Sequence, residues 1–374
     1  MSYKVKSAIL VALMLAVGVA SMPQRASAQI TCDDTPPPQQ TAQIRPILLG
    51  VSGGNIHSII KTKKEKGCFS GTLGSMVEDS DENEYILSNN HVIADQNKAK
   101  SGQLIVQPGL VDVACLKSQS NQVATFSRTI KIKFGGGTNT VDAAIAAVEP
   151  GMVSPQILFI GDIASTQATP TIGMPVQKMG RTTCLTSGVI AGLDANVTIN
   201  YSDDVKKPKL AKFVNQILVT GSVLTPTFGA PGDSGSLVVT LGDCPEAVAL
   251  LFGGTATGLA IANPISLVLS KLDVSMVGTC TADAVEPAAD VEGQNVGLSD
   301  DVVKSAKAVR DRHEDRLMGI PGAVGTGIAA SDEPGQAAVA VYVTKLTSQA
   351  QAAAPKEVEG LPVKLVESGE FNAY

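Results

Sequence analysis

Three short stretches of this chain carry side chains suited to attack on a carbonyl. Ser88-Asn89-Asn90-His91 ends a strand-like run on an imidazole, Val141-Asp142-Ala143 sets one acid among apolar neighbours, and Gly232-Asp233-Ser234-Gly235 puts a hydroxyl in a glycine-rich turn. A serine hydroxyl is a poor nucleophile near neutral pH. It needs a base within hydrogen-bond reach, and that base needs a partner to fix its tautomer. In this reading Ser234 attacks, His91 takes the proton and returns it to the leaving group, and Asp142 holds the imidazole. Gly232 lets the backbone turn tightly, so that the N–H groups of Gly232 and Ser234 aim at the developing oxyanion. Losing one such donor costs ~10²–10³ in turnover. Each stretch alone is only turn-like. In the order His, Asp, Ser, with separations of 51 and 92 residues and a strand-like run beside each, they point to nucleophilic catalysis.

Those groups need a scaffold. From Ile47 to Gly278 the sequence is short apolar runs broken by Gly, Pro, Asn and Asp, among them Tyr85 to Leu87, Gln103 to Val106, Ile157 to Ile160, Gln216 to Val219, Leu237 to Val239 and Ala247 to Phe252. Their length and β-branching predict strands, and the frequent turn residues predict a barrel or sandwich. One helix is expected over Ile265 to Leu272. Residues 281–296, rich in Ala, Asp and Glu, read as a linker. Ser299 then caps a helix whose first turn carries Asp300 and Asp301, Gly319 ends it, and strands follow over 323–330, 337–343 and 361–366. Residues 297–374 thus form a small α+β domain.

The His91, Asp142 and Ser234 segments resemble those of the chymotrypsin-fold (trypsin-like) serine proteases over about residues 50–275. Gly180-Arg181-Thr182-Thr183 and Ala262-Asn263-Pro264-Ile265 look like segments of a bacterial and plant branch of that family. The resemblance implies a mainly β fold of two antiparallel six-stranded β-barrels with the site between them. It also implies a serine endopeptidase acting through an acyl-enzyme on protein or peptide substrates, with no cofactor and no metal. The domain organisation expected is a signal peptide (1–28), a Pro-rich lead-in (29–46), a protease domain (47–280), the linker and the C-terminal domain.

The chain departs from the animal enzymes in two places. Val92 stands where they usually carry a cysteine. A freed N-terminus is not expected to pair with Asp233, which needs another partner, because the lead-in is long and Pro-rich. Phe228, six positions before Ser234, occupies a place where a strict Lys/Arg cutter would have an acid. With Gly253, Gly254 and Thr255 as a pocket wall, an apolar or small side chain is favoured over a basic one. The alternative reading is a catalytically weak or inactive protease-fold binding or scaffold protein. The C-terminal domain could also cover the cleft until the linker is cut.

Lys4 and Lys6, the apolar run from Ala8 to Ala20 and the sequence Ala26-Ser27-Ala28 have the layout of a signal peptide, so a secreted or periplasmic location is expected. No other run is long enough to cross a bilayer. Loss of Lys4, Lys6 and Arg25 with no acid takes the net charge from −6 to −9. That balance excludes a broad nucleic-acid footprint. In an oxidising compartment six cysteines read as three disulfides. The pairing expected is Cys68–Cys115, Cys184–Cys244 and Cys32–Cys280, although spacing alone cannot choose among the alternatives. Three histidines without a Cys-x-x-Cys pair leave little for a metal cage. His57 is expected in a strand or loop. His313 falls in the charged run Arg310 to Arg316, a solvated helix face, and Lys61, Lys63, Lys64 and Lys66 form a solvated basic loop. Ser236 in place of glycine breaks the Gly-x-Ser-x-Gly pattern of α/β-hydrolases. Oligomeric state is not legible.

Overall fold

A computed structural model describes residues 31–61, 66–118, 121–202, 207–281 and 297–374. The expected signal peptide, nearly all of the expected linker, and Lys63 and Lys64 of the basic run lie outside the described residues.

The chain is mainly β, in two principal sheets. The first has eight strands in the order Ser275–Met276, Ser75–Glu78, Glu84–Ser88, Ala144–Val148, Gln122–Thr129, Leu104–Val106, Val51–Asn55 and Gly71–Leu73. It curls around Ile86, Leu87, Ile105 and Ile145, which are fully buried. Its end strands do not pair with each other among the described residues, so it is a curled sheet and not a closed barrel. The second runs Pro175–Gly180, Cys184–Asn200, Leu210–Gly221, Ala260–Pro264, Ala247–Gly254 and Leu237–Thr240, and the last pairs with the first. This six-membered ring is closed.

The strand Cys184–Asn200 shows how sequence shapes the ring. Alternate residues face inward from Cys184, as a period of two requires. The phase flips at Gly192 and Leu193, both buried, and Asp194 takes a φ of 49°. An extra residue of this kind bends a strand. One half of the strand therefore serves the ring, while the other carries Tyr201 toward His91. The run Ile157 to Ile160 is not a strand. The strand is Val153–Ile157, and the chain then turns through Phe159 at a φ of 63°. The helix Ile265–Leu272 forms with the expected bounds.

The C-terminal residues extend the second sheet. Ala323–Ala330 pairs with Cys184–Asn200, Ala337–Val343 follows, and Leu361–Glu367 lies parallel to it. The helix Asp300–Met318 packs here through Leu317, clustered with Val339 and Val341. Ser299 precedes this helix without a side-chain cap bond. The charged run is not all solvated. Arg310 is fully buried and donates to Asp194 O at 2.8 Å, tying the helix to the bent strand.

Three disulfides join Cys32–Cys184, Cys68–Cys115 and Cys244–Cys280. Only the second has the expected pairing. Cys280 lies beside Ala164, whose N–H donates to Pro245 O at 2.9 Å, and this fold-back places Cys244 in reach. Cys32 is left for the turn that opens the strand at Cys184.

Candidate active site

The two sheets meet at the glycine-rich turn. Thr72, from the first sheet, donates its N–H to Ser234 O at 2.8 Å and its hydroxyl to Gly232 O at 3.0 Å. Gly235 has a φ of 95°, and a Cβ there would stand 2.1 Å from Thr72 O, so only glycine lets the backbones approach this closely. Gly232 has a φ of 104°. The amides of Asp233, Gly235 and Ser236 donate to Ala230 O, Leu251 O and Asp233 O. Among the described residues those of Gly232 and Ser234 donate to no protein acceptor, as an oxyanion site requires.

His91 sits in a one-turn helix, Asn90–Ile93, directly after the strand Glu84–Ser88. Its Nδ1 lies 2.6 Å from Asp142 Oδ2, and its backbone N–H donates to Asp142 Oδ1 at 3.2 Å. A carboxylate only accepts, so Nδ1 carries the proton in this contact. Asp142 is fully buried. Asn89 donates to its carbonyl at 2.7 Å, and its N–H donates to Asn263 Oδ1 at 2.9 Å. Asn263 is in turn fixed by Gln216 at 2.6 Å.

Tyr201 also donates to Asp142 Oδ2, at 2.8 Å, and its ring meets that of His91 edge-on at 5.7 Å. Burial, then the Asp142 charge, pushes its phenol well above the usual range. Sequence reading did not find Tyr201, because nothing local to Asn200-Tyr201-Ser202 marks it.

Asp233 has the partner that was expected. It is fully buried and accepts from the N–H groups of Thr182 (2.7 Å), Thr183 (3.1 Å) and Ala230 (2.9 Å) and from the Thr183 hydroxyl (2.7 Å). Its counter-charge is Lys178, also fully buried, 3.6 Å away. Burial pulls the Lys178 ammonium below its ordinary value, and Asp233 pulls it back up. Lys178 shares the inward face of its strand with Val176, so a lone lysine at an inward position was the available signal. Arg181 grips Asp112 with two bonds, at 2.5 and 3.0 Å, and so bridges the two halves beside the turn.

Ser234 is buried. Its Oγ lies 3.2 Å from Phe252 O and donates to the Tyr374 main-chain oxygen at 2.8 Å. The same Tyr374 oxygen lies 3.0 Å from His91 Nε2. The structure therefore brings Ser234 and His91 to one main-chain oxygen of the C-terminal segment, with Asp142 on the far side of the imidazole. Phe228 is fully buried in an apolar cluster with Val238 and Leu251, against which Tyr374 packs. A cavity of about 910 Å³ opens here, lined by His91, Arg181, Tyr201, Gly232, Thr255 and Tyr374, among others. His57 and His313 are elsewhere. His57 lies 3.2 Å from Lys117 Nζ, and His313 lies 2.9 Å from Glu359. No group of metal-ligating side chains occurs among the described residues.

The chain matches no family model and no curated protein. Among solved structures it is similar to bacterial serine proteases of chymotrypsin fold. A glutamic acid specific serine protease that uses a histidine triad in substrate binding shares 20% identity, with 62% of this chain and 100% of that chain covered and a TM-score of 0.41. Thermobifida fusca Protease A shares 16%, over 62% and 99%, with a TM-score of 0.41. Nocardiopsis protease shares 15%, over 62% and 98%, with a TM-score of 0.42. These likenesses concern the fold.

Proposed function

We propose that this chain is an exported serine endopeptidase in which His91, Asp142 and Ser234 form the catalytic triad. One observation carries the reading. The Tyr374 main-chain oxygen lies within 3.0 Å of both Ser234 Oγ and His91 Nε2, while His91 Nδ1 is 2.6 Å from the buried Asp142. Ser234 Oγ attacks the substrate carbonyl as His91 Nε2 takes its proton. The oxyanion is stabilised by the N–H groups of Gly232 and Ser234. His91 then protonates the leaving amine, and the acyl-enzyme is hydrolysed by water activated at the same nitrogen. Asp142 keeps the imidazole oriented and offsets its charge in the imidazolium stage. Tyr201 and Asn263 hold Asp142 and are positioning residues. The Lys178–Asp233 pair gives the turn an internal counter-charge, so the shape of the turn does not depend on a freed N-terminus.

Three disulfides agree with an oxidising, extracytoplasmic location. No helix among the described residues is long and apolar enough to cross a membrane. One observation favours the second reading, a weak or inactive scaffold protein: Ser234 Oγ donates to Tyr374 O at 2.8 Å and not to His91.

Peptide-library cleavage separates the two. The chain from Gln29 onward, and the same chain lacking residues 372–374, should cut, and their Ser234→Ala versions should stay folded and not cut. Absence of turnover from all four would favour the scaffold.

A further inference from the structure

The segment Phe371–Tyr374 runs into the cleft from the C-terminal module. Phe371 anchors it, buried and edge-on to Tyr342 at 6.0 Å. Beyond it the chain lies antiparallel to Ala247–Gly254, with Asn372 opposite Gly254 and Ala373 opposite Gly253. The Tyr374 N–H donates to Phe252 O at 3.2 Å. A Cβ at 254 would stand 1.9 Å from the Tyr374 hydroxyl oxygen, and one at 229 would stand 3.1 Å from its ring, so the ring occupies a slot that two glycines leave open. The slot is backed by the apolar cluster of Phe228, Val238 and Leu251. The hydroxyl is buried there with no hydrogen-bond partner among the described residues. The nearby carboxylate, Asp233, is already paired with Lys178 and four hydrogen-bond donors.

We propose that residues 372–374 are an intramolecular ligand of the substrate groove, and that they report the substrate class. That class is peptides with an aromatic residue on the acyl side of the cleaved bond, phenylalanine above tyrosine, preceded by a small residue such as Ala373. The proposal rests on the reading of Ser234 and His91 as the reacting pair. Their shared contact, the Tyr374 main-chain oxygen, places this segment against the reacting pair. A basic side chain would find no free carboxylate in the slot. A phenylalanine ring fills the same space without burying an unpaired hydroxyl, which is worth roughly 5- to 100-fold in affinity. The tail is therefore a weakened self-ligand. Tethering gives it an effective concentration in the ~millimolar range, so it masks the site, while a substrate carrying phenylalanine competes at an advantage.

The test uses the chain from Gln29 onward as parent, with Tyr374→Phe, Tyr374→Ala and a variant lacking 372–374 that keeps the Phe371 anchor. Circular dichroism checks that each is folded. A fluorophosphonate probe should label the shortened and Tyr374→Ala variants more than 10-fold faster than the parent, and Tyr374→Phe several-fold slower. Acetyl-Asn-Ala-Phe should inhibit the shortened variant about 5- to 100-fold more tightly than acetyl-Asn-Ala-Tyr. Equal labelling rates in parent and shortened chain, or preference for a lysine or alanine peptide, would overturn the proposal. Binding of a fluorescent Asn-Ala-Phe peptide to the shortened Ser234→Ala variant reads the groove without chemistry. If that peptide binds but the shortened chain is never labelled, the protease reading fails and the groove assignment stands. If it does not bind, the groove assignment fails.

Discussion

Replacing Lys178 by Met would keep most of the side-chain volume but remove the ammonium that stands 3.6 Å from the Asp233 carboxylate, both fully buried. At an effective dielectric near 20, unit charges at that separation attract by ~4–5 kcal/mol. Desolvation of the lysine offsets part of that attraction in the parent. In the variant nothing offsets the burial of Asp233 as an anion, and losses of ~3–5 kcal/mol are usual when one partner of a buried pair is deleted. Asp233 keeps its four neutral donors, so a loss near the lower bound, about 3 kcal/mol, is expected. Lys178 also donates to Thr183 Oγ1 and to Cys184 O, and both bonds would go. Urea denaturation of the parent, Lys178→Met, Asp233→Asn and the double variant forms a cycle. The double variant should recover much of the loss, with a coupling above ~1.5 kcal/mol. At temperatures where Lys178→Met is folded, kcat/KM should still fall by ~10²-fold, the scale of losing one oxyanion donor. If Lys178→Met lost under 0.5 kcal/mol, on the order of an ordinary surface change, and kept full kcat/KM, the pair would not be what shapes the turn.

Tyr201→Phe should cost ~1.5–3 kcal/mol of stability, the range for a hydrogen bond to a charged group, and about tenfold in kcat/KM. Unchanged kcat/KM would remove Tyr201 from the positioning of Asp142. The four tyrosines among the described residues, Tyr85, Tyr201, Tyr342 and Tyr374, all have phenols pushed upward, Tyr85 chiefly by its hydrogen bond to Asp79 and the others chiefly by burial. A raised folded-state value gives stability that is full below the free phenol range and is lost as pH climbs above it. Absorbance near 295 nm should therefore show tyrosinate forming late and together with unfolding, and a smooth early titration of one or more phenols would contradict this. Peptide mapping without reduction should recover Cys32–Cys184, Cys68–Cys115 and Cys244–Cys280, and recovery of a Cys184–Cys244 peptide would refute the pairing.

The strands and the site were legible to different degrees. Short apolar runs such as Gln216 to Val219 fell inside real strands because all four of those residues are buried in the sheet. Ile157 to Ile160 did not, because the positive φ at Phe159 turns the chain in a way that hydropathy does not register. His91, Asp142 and Ser234 could be read because the chemistry fixes their types and their neighbours. Tyr201, Arg181 with Asp112, and the tail could not. Each acts across the fold, and the distance between Tyr374 and His91 along the chain, 283 residues, hides their contact. Two of the three expected cysteine pairs, Cys184–Cys244 and Cys32–Cys280, failed for the same reason. Cys244 and Cys280 meet only because Ala164 lies between their segments.

Fluorophosphonate labelling of the chain lacking 372–374, with the modified residue located by mass spectrometry, tests the central claim most directly. The account predicts one label, on Ser234, lost in Ser234→Ala and greatly slowed in His91→Ala. A label on another residue, or one that survives Ser234→Ala, would contradict it.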